Sequence, residues 1–461
     1  MEERSVELFE EARELLKERK YPELREMLAK MEPADIAALL EEADMSDVPR
    51  FYRILPKELA ADTFAEMDPD MQELLIKAFS DNELGEVLEE MFLDDTVDMI
   101  EEMPAAIVKR ILRVTDSHKR QVINEILNYP KDSAGSIMTI EYVDLKKSMT
   151  VKEAFDRIRK TAVDKETIYT CYVTDPGRHL LGVVTAKDLM ISSPDQVIGD
   201  IMDEDVIYVF THDDKEDVAN QFDKYGFLAM PVVDAEKRLV GIVTVDDAID
   251  VLQEEIDEDI AIMAAVTPSE ETYFKTSVFK HAQNRVIWLL ILMLSATFTG
   301  MIITHYEEAM SALLVSFLPM LMDTGGNCGA QSSAMIIRAM AVDEVHFKDF
   351  FKVVFKELRI ALLVGATLAI VNSVRILLMY EVFYKDTDLY AGMNLGLVCL
   401  VVGVTLMGAV VLAKLLGCML PMLAKKIGLD PAIMASPLIT TIVDACTVLL
   451  YFNIAIWVLR I

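Results

Sequence analysis

The chain has 461 residues, of which 76 are acidic and 44 basic, giving a formal net charge of −32. That length leaves room for about three domains of ordinary size, and the acidity speaks against nucleic acid as a partner, because phosphate binding needs a basic footprint. Five cysteines (Cys171, Cys328, Cys399, Cys418 and Cys446) are scattered singly, with no CxxC pair or disulfide framework.

Charge divides the chain. Residues 1–270 carry 63 acidic and 30 basic side chains, whereas residues 271–461 carry 13 and 14. An acidic water-soluble part fused to an apolar part suggests that cations in solution control something in a bilayer. The opening Met1-Glu-Glu-Arg-Ser is charged and no apolar core follows, so no cleavable signal peptide is expected.

Residues 1–130 read as helices, with apolar positions such as Ile36, Leu39, Leu40, Leu59 and Phe64 at helical spacing. Pro33, Pro56, Pro69 and Pro104 stand at expected first-turn positions. Helical hairpins stacked into a superhelix are the expected shape, with acids such as Asp94, Asp95 and Asp98 on its faces.

Residues 131–198 and 199–250 then repeat. Ser136-Ile-Met-Thr opens one copy and Gly199-Asp-Ile-Met-Asp the other. Each continues through an amphipathic helix (Val151–Arg159, Asp217–Tyr225) into a β-rich run (Tyr169–Thr174, Ala229–Asp234). Each closes on Gly-x-x-Thr-x-x-Asp, as Gly182 to Asp188 and Gly241 to Asp247. This α/β order resembles a tandem pair of CBS domains. In that family the ending's Thr and Asp often bind the ribose of an adenine nucleotide, which here implies Thr185/Asp188 and Thr244/Asp247; many such pairs bind none.

A helix is expected over about Asp246–Val266, leading into a connecting segment (251–270). Val245, Ile249, Leu252, Ile256, Ile260 and Met263 trace one apolar stripe, and Asp246, Asp247, Asp250, Glu254, Glu255, Asp257, Glu258 and Asp259 fill the rest. Like charges three or four apart destabilise a helix, so bridging divalent cations would relieve it. A solvated polar face is the alternative.

Residues 271–461 hold five apolar runs of spanning length: Val286–Ile303, Ala309–Ala341, Ile360–Phe383, Met393–Ala424 and Pro431–Leu459. Lys275, Lys280 and Arg285, then Arg338, Lys348, Lys352, Lys356 and Arg359, then Lys425 and Lys426 all fall on one side of a five-span arrangement. The other side offers only His305-Tyr-Glu-Glu and Tyr384-Lys-Asp-Thr-Asp. The acidic body and N-terminus are therefore expected in the cytoplasm of a multi-pass cell-membrane protein, with the C-terminus outside.

Run two is expected to be a helix broken at Asp323-Thr-Gly-Gly-Asn-Cys-Gly-Ala-Gln-Ser-Ser333, whose freed backbone would line a water-filled path. Close packing on the glycines is the alternative. In run five Asp444 stands among apolar residues, with Thr440 and Thr447 on the same helical face. A carboxylate there marks a functional site, unless it is bonded to a neighbouring helix. Arg375 reads as the one basic residue well inside a span. Acids, amides and hydroxyls suit a hard cation, and a wide polar site with few charges suits a largely hydrated Mg²⁺. No Gly-x-x-x-x-Gly-Lys loop and no nucleophile–base pair in the spans is found, which speaks against a pump or an enzyme.

Gly325-Gly-Asn-Cys-Gly-Ala-Gln-Ser-Ser, Asp430-Pro-Ala, Thr440-x-x-x-Asp444 and the CBS pair with its acidic helix together resemble the MgtE family of bacterial Mg²⁺ channels or transporters along nearly the whole chain. The resemblance implies a homodimer with the pore on its two-fold axis, and Asp444 in the ion site beside Gly325, Gly326 and Asn327. It implies that cytosolic Mg²⁺ bridges Asp246, Asp247, Asp250, Glu255, Glu258 and Asp259, with Asp430 nearby and Asp94, Asp95 and Asp98 as a looser match. Closure of the cytosolic domains would then drive the connecting helix into the pore. Asp323 and Cys328 lie where the family pattern gives no guide. Transport of Co²⁺ or Mn²⁺, of an anion, or a membrane-anchored sensor without transport are the alternatives.

Overall fold

The computed structural model describes residues 11–460 apart from 13, 16, 17, 163, 164, 270–272, 275, 307–310, 343 and 385–393. Lys275 and most of the two sparse loops, Glu307-Glu308 and Lys385–Asp388, therefore lie outside the described residues. The chain forms two compact units, Met1–Gln253 and Glu254–Ile461.

The first unit opens with α1 (Tyr21–Leu28), α2 (Pro33–Glu41), α3 (Val48–Tyr52), α4 (Lys57–Ala65), α5 (Pro69–Ala78), α6 (Asp81–Glu90), α7 (Leu93–Glu102), α8 (Ala105–Val114) and α9 (Ser117–Ile126). Pro33 and Pro69 stand at helix starts, where the missing N–H costs nothing, while Pro56 and Pro104 fall one residue earlier, at the caps. Ser80 and Glu83 close a reciprocal cap at α6, and Asp116 accepts two backbone N–H groups at α9. α2, α4, α6 and α8 pack in series, each on the one before. This is the stacked arrangement expected from short amphipathic helices with tight breaks.

The repeats fold as α/β units. The first holds β1 (Val143–Lys146), α10 (Val151–Thr161), β2 (Thr170–Thr174), β3 (Leu180–Thr185), α11 (Ala186–Ile191) and α12 (Ile198–Ile201). The second holds β4 (Val209–Phe210), α13 (Lys215–Tyr225), β5 (Ala229–Val233), β6 (Leu239–Thr244) and α14 (Val245–Met263). Their sheets run β1-β2-β3 and β4-β5-β6, each with a parallel pair followed by an antiparallel one. The glycine of each Gly-x-x-Thr ending has a physical cause. A Cβ on Gly182 would lie 2.7 Å from the Asp203 carbonyl, and one on Gly241 2.8 Å from the Thr139 carbonyl, so both admit a crossing segment. Residues 131–140 are such a segment and not a free linker: Thr139 and Ile242 exchange both backbone hydrogen bonds at 2.8 Å, and Gly135 N donates to the Thr211 carbonyl at 2.9 Å. The helical core accordingly continues into the second repeat through Ala134, Met138, Met230 and Val243.

The second unit contains α15 (Val278–Tyr306), α16 (Ala312–Val315), α17 (Leu318–Ala341), α18 (Phe350–Met379), α19 (Leu395–Lys426) and α20 (Ser436–Leu459). Among the described residues, four helical stretches are long and apolar enough to cross a membrane: Val278–Tyr306, Phe347–Val382, Leu395–Lys426 and Pro431–Leu459. The second apolar run is not among them, because α17 carries Asp323, Asn327, Gln331 and Arg338.

The expected break in that run is also displaced. α17 continues through Gly325–Ser333, and the interruption falls between Val315 and Leu318, ahead of Pro319. Its backbone groups therefore bond within the helix and are not freed as ligands. The glycines serve close packing instead. A Cβ on Gly326 would lie 2.7 Å from Thr440 Cγ2, and one on Gly329 2.7 Å from Ile439 Cγ2, both on α20.

Candidate cation sites

In the first unit, the N-terminus of α7 gathers carboxylates. Asp94 and Asp95 occupy its first turn, where the helix dipole favours negative charge. Phe92 supplies no capping side chain, and Glu141 substitutes: its Oε2 accepts the Leu93 N–H at 3.0 Å. Glu166, whose N–H donates to the Glu141 carbonyl at 2.9 Å, is thereby held alongside. Carboxylate oxygens of Asp94, Glu141 and Glu166 all lie within 4.8 Å of one another. Glu166 Oε2 is buried with no hydrogen-bond partner.

The electrostatics follow from that crowding. Burial, with Glu141 and Asp98 nearby, pushes Asp94 up to about 7. Burial, then Asp94 and Asp246, pushes Asp95 up to about 7. Burial, reinforced by Asp94, Asp95, Asp246 and Glu141, takes Glu166 to about 8. Burial and the charge of Asp94 also hold Asp247 well above the usual carboxylate range. Two cations act on the cluster: Lys119, which donates to the Leu88 and Met91 carbonyls at 2.7 and 2.5 Å and whose pKa burial lowers, and Lys165, whose charge acts on Glu141. A set of hard oxygens with more carboxylates than two lysines can neutralise is the donor chemistry of a divalent ion such as Mg²⁺.

The structure brings together Asp94, Asp95, Asp246 and Asp247 from the expected sensor set, with Asp98 exposed at the edge. Glu141 and Glu166 join them and were not singled out from the sequence. Asp250 is exposed on α14, where Glu255, Glu258 and Asp259 follow beyond the first unit's end. Asp430, in the second unit, caps the helical turn Pro431–Met434 by accepting the Ala432 N–H at 2.7 Å.

The residues implied for a nucleotide have local partners. Thr185 and Asp188 form a reciprocal cap on α11, and Thr244 Oγ1 donates to Asp247 Oδ2 at 2.7 Å. The Thr-x-x-Asp ending is thus a cap in the first copy and a side-chain pair at the start of α14 in the second.

In the second unit, Asp444 lies on α20, half-buried, one turn from Thr440 and Thr447. Asp444 Oδ1 and Thr447 Oγ1 are buried with no hydrogen-bond partner, an unsatisfied pair of oxygens inside an apolar helix. Asp323 of α17 is close enough for its charge to act on Asp444. Gly325 faces the same point: a Cβ there would lie 3.1 Å from Thr447 Oγ1. Gly325 and Gly326 are therefore the packed back of α17, whereas Asp323, Asn327 and Gln331 form an exposed stripe on its other face.

Arg375 is not alone inside a span. Its Nε donates to Asn372 Oδ1 at 3.0 Å, and Lys414 on α19 is a second internal cation, buried against Ser332 and Glu357. A lone lysine within an apolar run was the available signal.

Residues 318–454 match a family described as divalent cation transporter, MgtE; residues 31–132 match the MgtE intracellular N domain; residues 134–194 and 198–254 match CBS domains. The magnesium transporter MgtE of Thermus thermophilus is 36% identical over 437 residues, covering 94% of each chain. That of Bacillus subtilis is 30% identical over 443 residues, covering 96% of this chain and 95% of its own. A crystal structure of the soluble part of a magnesium transporter superposes with a TM-score of 0.52 at 34% identity, covering 54% of this chain and 99% of that one. Similarity of this extent, running through all three kinds of domain, makes the chain a member of the MgtE family.

Proposed function

We propose that this chain carries Mg²⁺ inward across a cell membrane and that Mg²⁺ in the cytosol shuts the pathway. The observation that bears most weight is Asp444, a carboxylate inside an apolar helix whose buried oxygen and neighbouring Thr447 hydroxyl lack protein partners. Such a group is costly in a bilayer unless an ion or water meets it. Mg²⁺ releases its waters reluctantly, so one or two carboxylates with hydroxyls and amides around a hydrated ion suit it. A membrane potential contributes about 2.3 kcal/mol per charge per 100 mV, enough to draw a divalent ion inward without fuel.

The finer features of the proposal are these. α17 completes a five-span bundle with its N-terminal side in the cytosol, as the basic loops indicate. A homodimer covers the exposed stripe of Asp323, Asn327 and Gln331, which cannot face lipid. It also covers the apolar stripe of α14, where Ile249, Ile256 and Ile260 are 55%, 58% and 60% exposed. The working domains are 1–130, 131–198, 199–250, a connecting segment over 251–270 and a pore domain over 271–461. The cluster around Asp94, Glu141 and Glu166 is the sensor: a bound cation relieves its repulsion and favours the closed arrangement. An adenine nucleotide would bind by exchanging the Thr185–Asp188 and Thr244–Asp247 contacts for ribose hydroxyls.

The test is Mg²⁺ uptake by reconstituted vesicles. Asp444→Asn should abolish uptake while the protein still assembles and melts normally. Uptake at the unsubstituted rate would remove Asp444 from the path and with it the main support for transport.

A further inference from the structure

Ser332, Glu357 and Lys414 come from three helices of the membrane unit, α17, α18 and α19, and none belongs to the cation path above. Ser332 Oγ donates to Glu357 Oε2 at 2.7 Å, Lys414 Nζ donates to Ser332 Oγ at 3.1 Å, and Lys414 Nζ lies 3.9 Å from Glu357 Oε2. The lysine and glutamate side chains are 7% and 12% exposed. Charges this deep are rare, and here they cancel. An apolar floor of Ile336, Met340, Val353, Cys418 and Met422 closes the same end of the three helices.

α17 has a back and a front. Its back is smooth: Gly325, Gly326 and Gly329 approach α20, and Gly417 of α19 meets the Gly329 backbone so closely that no Cβ would fit. Glycines allow close approach but present no side chain to interlock, so they set the distance of a helix better than its rotation. Its front is the exposed stripe of Asp323, Asn327 and Gln331. A slip of one residue turns a helix by about 100°, enough to carry that stripe off its line. Directional bonds on the back can prevent this. Ser333 supplies one, donating to the Met434 carbonyl at 2.7 Å, and Ser332 supplies another.

We propose that Ser332, Glu357 and Lys414 form a charge-neutral clamp that fixes the rotation of α17. Glu357 and Lys414 are then positioning residues for the ion path; the inference rests on the reading that this path runs past Asp444. Buried ionic groups often set register more than stability, and a half-broken pair is worse than none.

Cys328 reports the rotation. It is 6% exposed and lies beside Asn327, so turning α17 would bring its thiol into water. Full-length protein in vesicles is treated with a membrane-impermeant methanethiosulfonate, Cys328 labelling is read by peptide mass spectrometry, and Mg²⁺ uptake is measured in parallel. Glu357→Gln keeps the shape and removes the charge; it and Lys414→Met should raise Cys328 labelling at least fivefold or so and cut uptake about tenfold. Ser332→Ala, which removes one oxygen and keeps the ion pair, should do both about two- to threefold and serves if a charge variant fails to fold. Asp444→Ala should lose uptake with Cys328 as protected as before. Unchanged labelling in the folded clamp variants, or raised labelling with undiminished uptake, overturns the clamp. Uptake surviving Asp444→Ala overturns the path itself, whatever Cys328 does.

Discussion

Glu166 shows most plainly what the acidic cluster does. One oxygen of its carboxylate, Oε2, is buried without a hydrogen-bond partner beside Asp94 and Glu141, and burial with the neighbouring acids pushes the group up to about 8. The same environment holds Asp94 and Asp95 to about 7, from a usual 3.8. Carboxylates raised in the fold contribute stability that is complete below their unfolded values and is lost as pH rises through the folded ones. The metal-free melting temperature should therefore fall between about pH 5 and pH 8 and level off above. Saturating Mg²⁺ should reverse the trend, since the ion displaces the same protons and binds more tightly as pH rises. A metal-free melting temperature that climbs over this range would count against the cluster. Glu166→Gln should raise the metal-free melting temperature by a few degrees, corresponding to about 1 kcal/mol, and remove most of the stabilisation by Mg²⁺. Differential scanning fluorimetry at fixed pH checks both halves.

At the level of elements, the membrane helices depend on how closely α17, α19 and α20 approach. Gly417→Ala would set a methyl against the Gly329 backbone, which cannot yield as a flexible side chain can. We expect a cost of about 1–3 kcal/mol and a lower melting temperature. Gly300→Ala, with nothing within 4 Å of the added carbon, should be neutral or slightly stabilising in the same assay. Equal effects at the two glycines would show that close approach is not what Gly417 is for. The misplaced break in α17 has the same origin. Three glycines among polar residues read as an opened helix, because sequence shows the missing side chains but not the neighbour that needs the room. Periodicity served better elsewhere: α10, α13 and α14 begin within two residues of their expected starts, since amphipathic spacing and caps are local. Glu141 and Glu166 left no such trace. They precede β1 and β2, far along the chain from α7, and only the packing of the first repeat against the helical domain brings them to Asp94. Lys414 was legible in principle, as a charge inside a long apolar run.

For the whole molecule, the division of charge falls between the part matched by the MgtE intracellular N domain and CBS domains and the part matched by the divalent cation transporter family. The residues proposed as the sensor split between the two compact units: Asp94, Asp95, Glu141, Glu166, Asp246 and Asp247 fall in the first, whereas Glu255, Glu258, Asp259 and Asp430 fall in the second. α14 carries residues of both units, since it runs from Val245 to Met263 and the first unit ends at Gln253. Several ions binding one arrangement better than the other would make closure steep in Mg²⁺, because their preferences add. The most direct test is Mg²⁺ flux recorded while free Mg²⁺ on the cytosolic face is raised through the millimolar range, for the unsubstituted protein and for Asp94→Asn/Glu166→Gln. The unsubstituted protein should shut down steeply and the variant should stay open to higher concentration with the same maximal flux. Flux that ignores cytosolic Mg²⁺, or a variant that closes at the unsubstituted concentration, would contradict the account.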